Sequence, residues 1–105
     1  MELKCEYCKK ELLKKGTLSF YGKKDTRTVS EIRVTHTGTC DKSMEEKMVK
    51  NNFINLGNLG LNEFYDKDKV FITLLDILER VVVSGLKIEV QAFNKLREIV
   101  EFLNH

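Results

Sequence analysis

Cys5-Glu6-Tyr7-Cys8 near the start of the chain, and His36-Thr37-Gly38-Thr39-Cys40 further on, are the stretches whose reading decides the fold. Each run places two soft donors close enough to meet one ion, and together they offer three thiolates and one imidazole. That set suits Zn²⁺, which takes four such ligands in a tetrahedron, and a Cys-x-x-Cys turn lets two sulfurs reach one metal at about 2.3 Å. Four protein ligands leave no open position at which water can be activated, so the expected role of the ion is structural. Two other readings of the cysteines stand beside this one. A redox Cys-x-x-Cys belongs between a strand and a helix of a βαβ unit, whereas here only a few residues precede Cys5. Three buried thiols with no shared task are the other. His36 read alone is a polar strand-end residue, but its place just before Cys40 favours a ligand, and His105 reads as inert.

Outward from these pairs, the intervening segment alternates. Thr17-Leu-Ser-Phe-Tyr21, the turn Gly22-Lys-Lys-Asp25 and the β-branched run Val29 to His36 predict a β-hairpin, with strands near 17–21 and 29–36. After Cys40, Ser43 and Glu46 have capping-box spacing and Asp41 is a competing N-cap. A helix is expected to start there and run to about Asn52, with Met44, Met48 and Val49 on its apolar face.

Knuckle, hairpin, then a helix whose start lies at the second ligand pair: over residues 4–52 the sequence resembles a treble-clef zinc finger. The resemblance implies Cys5 and Cys8 as knuckle ligands, Cys40 as the ligand at the helix start and His36 as the fourth. Lys9 stands where the knuckle usually has glycine, and three residues separate the second pair where two are commoner. A zinc ribbon with two knuckles is the alternative. Treble-clef proteins bind nucleic acids, proteins or lipids, and some are nucleases, so the resemblance implies a scaffold without choosing a function.

Residues 55–66 mix glycine and asparagine with leucine at no clean period and read as a loop. From 67 to 83 apolar residues recur at helical spacing, with Ser84-Gly85 as the stop. A last helix is expected over 88–103. The short link predicts an antiparallel pair with Phe71, Leu74, Leu78, Phe93, Leu96 and Val100 in the seam. The expected architecture is α+β: a zinc-stapled module over 1–54, a loop over 55–66, and a helical hairpin over 67–105 packed on it. Apolar stripes broader than one hairpin buries leave two outcomes open, a single intramolecular core in a monomer, which is favoured, or a homodimer.

At 105 residues the chain has room for one domain or two small modules sharing a core. It carries 18 basic against 16 acidic residues, too balanced for charge alone to mark a nucleic-acid binder. No apolar run is long enough to span a membrane, the start lacks a secretory signal, and three cysteines suit a reducing compartment, so a cytoplasmic protein is expected. The predominance of lysine over arginine, with many asparagines, suggests a bacterial or phage source. Lys9, Lys10, Lys14, Lys15, Lys23, Lys24, Arg27 and Arg33 surround the metal module beside Tyr7, Phe20 and Tyr21. Such interleaving fits a phosphate-tracking surface and fits a solvated lysine-rich face as well. No enzyme constellation emerges. Gly57-Asn-Leu-Gly60 lacks the lysine of a phosphate loop, and Asp66, Asp68, Asp76 and Glu79 read as solvated helix positions. The functional expectation is a zinc-binding adaptor module that recognises another protein. The alternative is a nucleic-acid-binding finger acting through Lys9, Lys10, Lys23, Lys24 and Arg27, and a zinc-dependent hydrolase or nuclease ranks last.

Overall fold

A computed structural model describes residues 3–12 and 15–104. Lys14 and His105 lie outside the described residues. The elements are β1 (Gly16–Lys23), β2 (Thr28–Val29), β3 (Glu31–His36), α1 (Thr39–Lys50), β4 (Phe53–Gly60), α2 (Asn62–Tyr65), α3 (Lys67–Val82), β5 (Lys87–Ile88) and α4 (Val90–Leu103). The fold is mixed α and β. The three-stranded antiparallel sheet has the order β3-β1-β4, and β2 pairs with β5 in a separate parallel ribbon.

The expected hairpin is present between β1 and β3, with Gly16 opposite His36 and Phe20 opposite Ile32, but its second strand begins at Glu31, and Val29, expected within it, pairs with Ile88 of β5 instead. Its first strand is buried along nearly its whole length because it is the centre of the sheet. Leu18 and Phe20 join Ile32, Val34, Leu61, Phe64, Leu96 and Ile99 in the main core, whereas Tyr21 packs with Met44, Met48 and Phe53 in a smaller one. Side chains of a strand alternate between faces, so α1 covers one face of the sheet and α2 with α4 cover the other.

The segment 55–66, expected as a loop, is instead most of β4 followed by α2. Its composition is poor for a strand, but β1 offers a buried edge whose backbone groups must be bonded, and pairing satisfies both chains. The register shifts between Phe20 and Tyr21, a bulge that lets this irregular strand follow its partner.

Helix α1 also departs from expectation. It starts at Thr39 with Gly38 as N-cap and no side-chain cap, so Ser43 and Glu46 are interior and no capping box forms. Gly38 takes φ 104°, a conformation glycine reaches without a Cβ penalty, and its carbonyl accepts from the Lys42 N–H. The earlier start brings Cys40 into the first turn. The helix ends at Lys50, and Val49 is exposed rather than part of the buried face.

Helix α3 begins where predicted, with Asp66 Oδ1 accepting from the Asp68 N–H at 2.9 Å, and left-handed Gly85 (φ 73°) follows its end. The expected α3–α4 seam does not close. Leu96 is buried and Val100 packs on the core, but Phe71, Leu74, Leu78 and Phe93 are exposed. The reason is the unforeseen β4–α2 segment. Helix α4 lies against β3 and α2, and α3 against α2, so each helix has another surface to pack on. Among the described residues no helix is long and apolar enough to cross a membrane.

Candidate metal centre

Residues 3–12 fold back on themselves. Lys4 and Glu11 form an antiparallel bridge, the Cys5 N–H donates to the Lys10 carbonyl, and the Lys9 N–H donates to the Cys5 carbonyl. Lys9, at the position where glycine was expected, adopts the left-handed conformation itself, with φ 66°. Its Nζ donates to the Glu6 carbonyl at 2.8 Å, a local bond that partly offsets the cost of about 1–2 kcal/mol for an L-residue there.

This turn lies against the end of β3. The Glu6 N–H donates to the Val34 carbonyl and the His36 N–H to Cys5 Sγ, at 3.4 Å. The Cys8 N–H reaches the same sulfur at 3.5 Å. Cys40 enters from the first turn of α1. The ligand atoms of Cys5, Cys8, His36 and Cys40 thus all lie within 4.8 Å of one another, and the cluster can hold a metal ion. In a tetrahedron with metal–sulfur bonds of about 2.3 Å the donor atoms sit roughly 3.8 Å apart, so closure needs shifts of about an ångström.

The orientation of His36 is specific. Its Nε2 lies 3.1 Å from the Glu11 carbonyl oxygen, which can only accept, so Nε2 carries the proton. Nδ1 faces the cluster, 3.3 Å from Cys8 Sγ, and in the neutral ring it is the nitrogen that offers a lone pair. A ring whose second nitrogen is fixed by a carbonyl is the usual arrangement of a ligating histidine.

Electrostatics favour a cation at this point. Burial pushes the Cys5 thiol up, but bonds from the N–H groups of Cys8, His36 and Tyr7 outweigh it and lower the thiol to about 6. Burial, then hydrogen bonding and charge from Cys5 and Cys8, push Cys40 up to about 11. Holding all three sulfurs as thiolates in this space is therefore disfavoured, and a divalent cation is what would offset that repulsion. All three cysteines are free of disulfides.

Sequence reasoning missed the brace behind the knuckle. Glu6 accepts from the Val34 N–H at 2.7 Å, from Arg33 Nη1 at 3.1 Å and from Lys95 Nζ at 2.8 Å. Lys95 also donates to the Ile32 carbonyl, so one carboxylate links the knuckle, β3 and α4. The only local signal was an acidic residue between the two cysteines.

Lys9, Lys10, Lys23, Lys24 and Arg27 are all exposed, but not together. Lys9 and Lys10 sit beside the cluster, at the Gly16–His36 end of the hairpin, whereas Lys23, Lys24 and Arg27 lie at its turn. At about 3.3 Å per strand residue, the length of β1 puts roughly 20 Å between the groups. No family model matches the chain, and neither a curated protein nor a solved structure shows significant similarity to it.

Proposed function

We propose that Cys5, Cys8, His36 and Cys40 hold one Zn²⁺ as a structural ion in a treble-clef arrangement, and that the chain is a cytoplasmic binding or adaptor module recognising another protein. The observation that carries the metal reading is the His36 ring, fixed by the Glu11 carbonyl with its other nitrogen turned toward a cluster whose four ligand atoms lie within 4.8 Å of one another. Zinc is the divalent ion suited to three thiolates and one imidazole, and bound there it would fasten the knuckle to β3 and α1. Protein recognition is supported by the uncovered apolar surface of α3 and α4, together with the division of the basic residues between two ends of β1. Nucleic-acid binding through Lys9, Lys10, Lys23, Lys24 and Arg27 remains the alternative, and the exposure of all five favours it. Mobility of labelled oligonucleotides at low and physiological salt separates the two. No retardation is expected, whereas retardation abolished by neutralising these five residues would establish the alternative.

A further inference from the structure

Helix α3 has its apolar surface on the wrong side for a monomer. At 100° per residue, the buried side chains Thr73 and Ile77 occupy one edge of a sector that continues through Leu74, Val81 and Leu78 to Phe71, Val82 and Leu75. The first part of the sector forms the wall of a groove of about 370 Å³, with Ile88, Phe93 and Leu96 on the far side. The second part stands beside it as a ridge in which Phe71 is 65%, Leu78 55% and Val82 71% exposed.

We infer that a second copy of this chain covers the face, the α3 ridge of each copy seated in the groove between α3 and α4 of the other. Three features select this occupant. A ridge adjoining a groove of the same apolar character is self-complementary across a two-fold axis, where one patch must serve both partners. Phe71, Leu74, Leu75, Leu78, Val82 and Phe93 are each 41–71% exposed, an apolar face on the order of 600 Å², at the top of the ~300–600 Å² range of a monomer's largest patch and approaching the ~800 Å² each partner contributes to a stable interface. The ridge follows a heptad, Phe71 to Leu78 and Leu75 to Val82, as helix-to-helix packing across such an axis needs. This rests on the reading of the α3 and α4 face as a protein-recognition surface and narrows its partner from another protein to a second copy of the chain. It is independent of the metal, since sedimentation reads the face and metal analysis reads the cluster.

The test is sedimentation equilibrium of the zinc-loaded full chain over the micromolar range, beside three variants. The parent should sediment at twice its 12.2 kDa mass. Leu78→Glu and Phe71→Lys should weaken the dimer at least tenfold while keeping their helix content and zinc, because both positions are open to solvent in the single chain. Val49→Glu, equally exposed but on α1, should leave the dimer unchanged. A monomeric parent throughout the range overturns the inference and leaves the groove to an amphipathic helix of a different protein. A dimer indifferent to both α3 variants overturns it as well.

Discussion

Around Cys5 and along α3 the chain faces one problem, groups that water disfavours leaving exposed or that repel one another, and resolves it in different ways. At the knuckle the resolution is polar and local. Backbone N–H groups from Cys8 and His36 converge on one sulfur, a carbonyl fixes the imidazole, and Glu6 gathers donors from β3 and α4. Leu3, Cys5 and Leu12 also bury apolar surface in the main core, and on the proposed reading directed bonds and a cation close the rest of this end. Along α3 nine of the sixteen residues are apolar, yet only Ile77 among them, with Thr73, is buried within the chain. A small domain has too little core to cover every amphipathic face, and here the core is spent on the sheet. On the proposed readings the metal end is closed by ligand chemistry and the α3 end by association.

The sharpest way to separate the two regions is to cut the shared core between them. Phe64 on α2 is fully buried among residues of the sheet and α4, so Phe64→Ala should cost about 3–5 kcal/mol and lower the melting temperature of both regions together. Urea melts followed by circular dichroism would show it, and separate transitions for the two regions would mean that they do not share a core. Leu74→Ala, at a position 41% exposed, should cost much less than a buried leucine in the dissociated chain.

A smaller effect is expected at the brace. Glu6→Ala removes an acceptor from Lys95, Arg33 and the Val34 N–H, and with the side chains a fifth to a third exposed the loss should be about 1–2 kcal/mol. Amide exchange should report it in β3 and α4 together. Protection lost in the knuckle alone would show that Glu6 does not couple the two. The smallest effect has the opposite sign. Lys9→Gly relieves the left-handed strain and should stabilise the chain by about 0.5–1 kcal/mol, reduced by the lost Nζ bond to Glu6, as a rise in melting temperature would show.

What the sequence disclosed follows the same division between local and distant causes. The four candidate ligands were legible because ligand chemistry is written in residue type and short spacing, and α3 was legible because its period is regular over four turns. Strand β4 was not, since Asn55, Gly57, Asn58 and Gly60 argue against a strand and only the unpaired edge of β1 argues for one. The missed seam followed directly, because without β4 and α2 the two last helices had only each other to pack on. Glu6 was invisible for a similar reason, its partners lying 28 and 89 residues away in sequence.

The metal reading is tested most directly by weighing the ion. Native mass spectrometry of protein produced with ample zinc should show one Zn²⁺ per chain, absent from Cys8→Ser and removed by a strong chelator. Because zinc binding at such sites carries roughly 10–16 kcal/mol of coupled folding energy, its removal should abolish the protected amides of residues 3–12 and 31–40. A parent that carries less than half an equivalent of zinc, or that keeps those amides protected after chelation, would contradict a structural ion at Cys5, Cys8, His36 and Cys40.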